Sequence, residues 1–436
     1  MTDSLLVHIA LTIYEIIWVL FRPIISRHPR LKEGLKQRLL IHPPKPADLW
    51  LHAASVGEAF LALEIIKQFD YPQPLNLLIS TNTSQGKEVL DKELSSLQST
   101  TAKSLTIATT FFPFDQPSLM RKALSIINPR LLILIEGELW PGLLAGCHQK
   151  RVPVILVNGR INQKSLERYL LWPAFWKYLR PKLVLAISET DSKRFARLFG
   201  RERVVIVENI KFDRVAVTIA TPANYNPLDS FLKLSDKFIV LGSVRQEEEL
   251  LLTQVISSLF HHDQDLIIGL FPRHMHRLSF WNQALASSGI SFLLRSEITP
   301  GMDVKRGTVI LWDRIGELNF AYAISKAVFV GGSLAPVGGQ NFLEPLAHGV
   351  RPVIGPYWTN FAWIGREIVN MGLVEEVNDH LQLTETLLAR ISTTSQRPQV
   401  TQDFQNYLKQ RRGGTAKICR TIIEILQNQT AGKITP

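Results

Sequence analysis

The segment Ser55-Val56-Gly57-Glu58 follows the apolar run 49–53 and precedes an apolar helical stretch, 58–69. A serine followed three residues on by a glutamate is the capping box of a helix start. The same carboxylate, at the carboxyl end of a strand, can act as general base on a substrate hydroxyl. The sequence leaves both readings open. A second acidic pair, Glu136 and Glu138, ends the run 131–135 ahead of Pro141. Two carboxylates there are costly to bury unpaired, so they are expected to be exposed or at work. With Glu58 they outline one rim.

The second half of the chain carries four further run endings. Ser243 closes Leu241-Gly242-Ser243 ahead of a glutamate-rich helix. Pro272-Arg273-His274 ends the next run, and Arg273 is the natural partner for a phosphate there. Ile315-Gly316-Glu317 lies in the third ending. The fourth, GGSLAPVGGQNFLEP, holds Gly331, Gly332, Ser333, Gly338, Gly339, Asn341, Phe342, Leu343 and Glu344. Its glycines let backbone approach a ligand, and a helix N-terminus offers N–H groups to an anion. A plain strand–helix loop with Asn341 as cap and Gly349 as terminator explains the same residues. Four such endings in succession point to a nucleotide site.

A metal is not expected. His274 and His276 lack a third ligand nearby, and Asp263-Gln264-Asp265 precedes a strand, the wrong end of a sheet for substrate.

The elements that must position these residues read as two strand–helix series. Apolar runs at 49–53, 75–80, 131–135, 152–157 and 183–187 alternate with helical stretches such as 58–69 and 85–94. A second series runs through 238–242, 266–271, 308–312, 327–330 and 352–354. This alternation predicts two doubly wound α/β domains with parallel sheets facing across a cleft. The expected limits are an N-terminal helix and basic flank (1–40), a first domain (41–213), a linker (214–236) and a second domain (237–436). The final helix has the option of packing back on the first domain. No G-x-G-x-x-G follows the first strand of either series, which argues against a nicotinamide-linked oxidoreductase.

The 436 residues are long enough for two such domains, and 46% apolar against 20% charged excludes a disordered chain. Cys147 and Cys419 are far apart and without a C-x-x-C partner, which suits a reducing compartment.

Residues 4–21 are almost wholly apolar, near the lower length for crossing a bilayer. His8, Thr12, Glu15 and Arg22 fall on one helical stripe, which a spanning helix rarely turns to lipid. A helix in the membrane interface, or docked on the protein with one apolar face in lipid, fits better. Arg22, Arg27, Arg30, Lys32, Lys36 and Arg38 follow, favouring an anionic cytoplasmic leaflet. Between Lys150 and Arg203 there are 13 Lys+Arg and four acidic residues, a net +9 out of +11 for the chain. No nucleic-acid-binding motif accompanies that patch; on charge alone a solvated basic face reads as well as a ligand site, and the membrane-like N-terminus tips the reading towards an anionic lipid.

Taken in order and spacing, SVGE, EGELWP, ENIKFD, FPRH, IGEL and GGSLAPVGGQNFLEP resemble the 3-deoxy-D-manno-octulosonate (Kdo) transferases of lipopolysaccharide synthesis, over nearly the whole chain. The resemblance implies an inverting GT-B glycosyltransferase that moves Kdo from CMP-Kdo to a lipid A precursor (lipid IVA) at the cytoplasmic face of the inner membrane. It implies Glu58 as proton acceptor, with Glu136 and Lys211 stabilising the transition state. Pro272, Arg273, Ile315, Gly316, Glu317, Asn341, Phe342, Leu343 and Glu344 match its CMP-binding segments, with Ser243, Gly332 and Ser333 as neighbours. No cofactor is implied.

The chain departs from the family pattern at Gly137, which replaces a threonine, and at Val337, Gln340 and Phe342, which replace two histidines and a proline. Two alternatives stand beside this reading: another GT-B enzyme with a different nucleotide sugar or lipid acceptor, and a non-catalytic membrane lipid-binding protein of the same fold. The joint presence of Glu58, Glu136, Lys211 and Arg273 argues against the second.

Overall fold

The computed structural model describes residues 2–97, 105–219, 225–394 and 396–431. The chain forms two compact units, one from residues up to 216 together with those from 411 onward, the other from 217 to 410.

Unit 1 is built on seven parallel strands: β1 (Leu49–His52), β2 (Leu75–Thr81), β3 (Leu105–Phe111), β4 (Leu131–Ile135), β5 (Val154–Gly159), β6 (Leu183–Ala186) and β7 (Val204–Ile206). Their order is β3-β2-β1-β4-β5-β6-β7. The central strands are buried along their whole length, as the unbroken Leu/Ile/Val runs demand when helices cover both faces. β1 pairs with β2 on one side and β4 on the other, so the strand order reverses between β1 and β4. The crevice beyond the carboxyl ends of such a pair is where open α/β sheets bind ligands. Glu58 and Glu136 follow β1 and β4, one on each side of it.

One face of this sheet is covered by the helix Val56–Gln68 and by the last helix, Gly414–Ala431, whose Ile418, Cys419, Ile422, Ile425 and Leu426 lie in the same apolar cluster. The last helix therefore belongs with unit 1, the packing that the sequence left open, and the second unit ends at 410 and not at 436. Asp213 fixes its start, accepting from Gly413 N at 2.7 Å, Thr415 N at 2.8 Å and the Thr415 hydroxyl at 2.6 Å. A Cβ at Gly414 would lie 1.9 Å from the Glu208 carbonyl oxygen. Gly414→Ala is expected to cost about 1–3 kcal/mol through this overlap, read as a lower denaturant midpoint with an unchanged slope.

Against the other face lies the N-terminal helix Thr2–Ile25, which buries Val7 and Leu11. Of its polar stripe, Glu15 and Arg22 face the protein, while His8 and Thr12 are exposed. The Tyr14 hydroxyl donates to Asp115 (3.1 Å), Glu15 accepts from Ser118 N (2.8 Å), and Arg22 donates to Gln116 (2.7 Å). Leu5, Ile9, Ile13, Ile16, Leu20 and Ile24 point outward, 47–64% exposed. The helix is thus docked along one side and apolar on the other.

Unit 2 has a second parallel sheet: β8 (Phe238–Val244), β9 (Ile267–Pro272), β10 (Phe292–Leu294), β11 (Thr308–Leu311), β12 (Ala327–Val330), β13 (Pro352–Ile354) and β14 (Glu375–Glu376), in the order β10-β11-β9-β8-β12-β13-β14. Here the order reverses between β8 and β12, so Ser243 and the Gly331–Gly332 turn flank the crevice. The expected linker begins inside a helix, Ile210–Ile219, and residues 220–224 lie outside the described residues. Asn226 then caps a short turn, Pro227–Ser230.

Candidate active site

In unit 1, Ser55 caps the helix Val56–Gln68, its hydroxyl oxygen accepting from Glu58 N at 3.3 Å. The Glu58 carboxylate accepts from Ala54 N at 2.8 Å and from the Ser55 hydroxyl at 3.0 Å. The capping geometry is therefore present, and it also orients the carboxylate. Glu58 is 6% exposed. Burial pushes its carboxyl up to about 7, with the negative charges of Glu138 and Glu136 adding to the rise and the Ala54 N–H and Ser55 hydroxyl opposing it. A carboxylate near half ionisation at neutral pH can both accept a proton and release it. Cap and base are one side chain.

Glu136 leaves the end of β4 in the left-handed region, φ 62°. Its Oε1 meets Lys211 Nζ at 2.7 Å, and Arg160 Nε lies 3.7 Å from Oε2. Lys211 is set by its helix start, where Asn209 Oδ1 accepts from Lys211 N and Asn158 Oδ1 from Ile210 N, each at 3.0 Å. A Cβ at Gly137 would stand 2.3 Å from the Arg160 carbonyl oxygen, so the missing threonine leaves room for this close approach. Glu138 is exposed, and its carboxyl is raised, by desolvation from the surrounding protein first and then by Glu136. Three carboxylates and two cations converge at this end of the sheet.

Unit 2 divides the expected donor residues into two groups. Arg273 is exposed, its backbone N–H holding the Val244 carbonyl (2.8 Å), and its charge opposes the rise that burial imposes on Glu344. Asn341 donates to Glu344 Oε1 at 2.8 Å. Ser243 sits at φ 55°, against Gly331, where a Cβ would meet its carbonyl at 2.7 Å. Ile315 is 84% exposed, and Gly316 (φ 95°) has open space around it. These residues can reach a ligand.

Others are structural. Phe342 is fully buried against Trp358 and Phe361, and Leu343 and Pro272 are buried too, so their side chains serve the core. Glu317 is held by Arg295 Nε (2.8 Å) and Trp312 Nε1 (2.8 Å). The buried Ser333 hydroxyl donates to Val330 O (2.6 Å) and accepts from Gly355 N (2.9 Å).

The anion expected at the glycine-rich loop is the protein's own. Glu248, wholly buried, accepts from Gly332 N (2.5 Å), Ser333 N (2.9 Å) and Leu334 N (2.8 Å), besides Arg245 N (3.2 Å). These loop amides are therefore not available to a substrate phosphate. Sequence reasoning missed Glu248 because it stands in Gln246-Glu247-Glu248-Glu249, which reads as a solvated helix start. Its i,i+3 relation to Arg245 was the one local signal. Among the described residues no three His, Cys, Asp or Glu side chains cluster as metal ligands would.

Residues 33–214 match the family model for 3-deoxy-D-manno-octulosonic-acid transferase (kdotransferase). A bifunctional glycosyltransferase/methyltransferase of Fusobacterium nucleatum is 30% identical over 394 residues, 88% of this chain. The match takes in only 58% of that relative's length. A 3-deoxy-D-manno-octulosonic acid transferase of Haemophilus influenzae is 29% identical over 363 residues, 81% of this chain and 82% of the relative. In architecture the chain is similar to a UDP-GlcNAc 2-epimerase from Neisseria meningitidis (TM-score 0.53, 12% identity, covering 87% of this chain and 99% of that one), a likeness of fold alone.

Two parallel α/β units with polar residues at the carboxyl ends of their strands form a GT-B-like fold, and the sequence matches mark the chain as a glycosyltransferase. Within that class, residues 33–214 match the Kdo transferase family model, and most of the chain is similar to curated Kdo transferases.

Proposed function

We propose that this protein transfers Kdo from CMP-Kdo to a lipid A precursor in lipopolysaccharide synthesis, with inversion and without a metal. The observation that carries the reading is Glu58, a buried carboxyl raised to about 7 beside the Glu136–Lys211 pair. The acceptor hydroxyl oxygen bonds to the anomeric carbon of Kdo while the bond from that carbon to the CMP phosphate oxygen breaks. The hydroxyl proton passes to Glu58, and CMP departs with the bonding pair. Glu136 faces the positive charge that develops on the sugar ring, and Lys211 holds Glu136 in place and offsets anionic charge of the donor. Arg273, Asn341, Glu344 and the 315–317 turn carry the CMP moiety, with Arg273 on its phosphate. A monophosphate leaving group carries less charge than a diphosphate, which suits a site without a cation.

The acceptor is a lipid, and the exposed apolar face of the N-terminal helix supports attachment to the cytoplasmic face of the inner membrane. Its position along the protein, anchored by Tyr14, Glu15 and Arg22, supports a helix lying in the interface rather than crossing it.

The test is a transfer assay with CMP-Kdo made in situ and a tetraacylated lipid A precursor, read by mass spectrometry. The product is expected to gain one or more Kdo masses. A folded protein that binds CMP yet adds nothing would redirect the reading to another sugar or acceptor.

A further inference from the structure

Unit 1 contains a pocket of about 550 Å³ at the opposite end of its sheet from Glu58 and Glu136. Its walls come from the segments leading into β5, β6 and β7, namely Arg151–Val154, Arg180 with Lys182, and Arg203. β5 alone is six residues long, so roughly 20 Å separate this pocket from the carboxyl-end rim. It is not part of the substrate site.

The charge lining it is one-sided. Arg151, Lys177, Arg180, Lys182 and Arg203 all border the pocket, with His148 and Tyr178. Among the described residues only Arg203 of these cations has an acidic partner, Glu202 at 3.5 Å. Five gathered cations with a single carboxylate repel one another, which a bound anion relieves.

The surroundings say which anion. Tyr178 packs against His148 (4.4 Å) and against His8 of the N-terminal helix (5.9 Å). Just before the helix Pro173–Tyr178, Leu171 is 85% and Trp172 38% exposed. Exposed apolar side chains thus stand on the two elements that meet at Tyr178, the N-terminal helix and the segment ahead of Pro173–Tyr178. That pairing suits a molecule with a phosphate at one end and acyl chains at the other.

We propose that this pocket binds the headgroup phosphate of an anionic glycerophospholipid, as a lipid site separate from the acceptor site. The proposal rests on the membrane reading above. The bound lipid holds the amino ends of the strands to the bilayer, while the docked helix lies alongside.

The test uses full-length protein in a flotation assay with vesicles of phosphatidylcholine, alone or mixed with phosphatidylglycerol. Wild type is compared with the variant Arg151→Gln/Arg180→Gln/Lys182→Gln. A control variant, Lys164→Gln/Arg168→Gln/Arg197→Gln, removes equal charge from the same basic stretch outside the pocket. The pocket variant is expected to lose the preference for phosphatidylglycerol by on the order of a hundredfold, the control by far less. Equal losses in both variants would mean diffuse attraction and overturn the proposal.

A second arm adds inorganic phosphate or glycerol phosphate to the protein without vesicles. Strong stabilisation of wild type but not of the pocket variant, with vesicle preference unaffected, would make this a site for a free phosphate and also overturn the lipid assignment. Wild type that floats with neither vesicle would refute the membrane reading itself. Wild type that floats while the pocket variant matches it would refute only the pocket.

Discussion

Glu58→Gln is expected to lower turnover by about 10²–10⁴-fold while leaving the fold and CMP affinity nearly unchanged. Glutamine keeps an oxygen that accepts from Ala54 N, so the helix start survives, but it cannot take a proton at neutral pH. Glu58→Ala removes both functions and adds about 0.5–2 kcal/mol of lost capping. Comparing the two separates base from cap. A glutamine variant with near wild-type turnover, in the presence of intact CMP binding, would show that Glu58 is only a cap.

The pH profile carries the same information independently. The base must be ionised to act, so the acid limb of kcat/KM is expected to fall below pH about 7 and to disappear in the glutamine variant. For stability the sign runs the other way. The Glu58 carboxyl is raised from 4.5 to about 7 in the folded protein, so the native state binds the proton more tightly than the unfolded chain. Its contribution is full below about 4.5 and is lost as pH rises through 7. Asp115, buried between Tyr14 and the amides of Gly142 and Leu143, is raised mainly by burial to about 7 and acts in the same direction. The enzyme gains activity over the pH range in which these two groups withdraw stability.

The second large effect belongs to a residue that touches no substrate. Glu248→Ala is expected to cost about 3–5 kcal/mol of stability, because it leaves the Gly332, Ser333 and Leu334 amides buried without acceptors. Burial raises the Glu248 carboxyl, and the loop amides and the Arg245 N–H oppose that rise. Glu248→Gln keeps one acceptor oxygen but turns its NH2 towards the other pair of N–H donors, so it is expected to lose part of the same stability. The loop that Glu248 holds leads directly to Asn341 and Glu344, so CMP titration of the alanine variant is expected to show weakened binding even where the fold persists. Urea unfolding gives the stability change. A midpoint like that of wild type would mean that the loop holds itself.

The strands that the sequence identifies and those it does not differ in one physical respect. β3, β7, β10 and β14 have no counterpart among the apolar runs, and each lies at the edge of its sheet. A central strand is buried on both faces and must be apolar throughout, whereas an edge strand alternates between half-buried and exposed positions, as β3 does over its first five residues, or is very short. The interior of each sheet was therefore legible and its margins were not.

The site divides in the same way. Ser55 and Glu58 are three residues apart, so their relation lies within one helical turn and can be read directly. The amphipathic first helix is equally local, its polar stripe and apolar face set by a period of 3.6. The Glu136–Lys211 pair spans 75 residues, the Glu248–Leu334 bond 86 and the Asp213–Thr415 cap 202. Sequence spacing carries no information about such partners, because they meet only when the strand order brings separate crossovers to one end of a sheet. Tertiary structure also decided that Phe342 and Ser333 pack inward while Arg273 stays exposed, since a loop residue's burial depends on what the rest of the fold lays against it. The chain's local periodicities determined two parallel α/β units and a docked apolar helix, and long-range packing determined which polar groups within them remain available for chemistry.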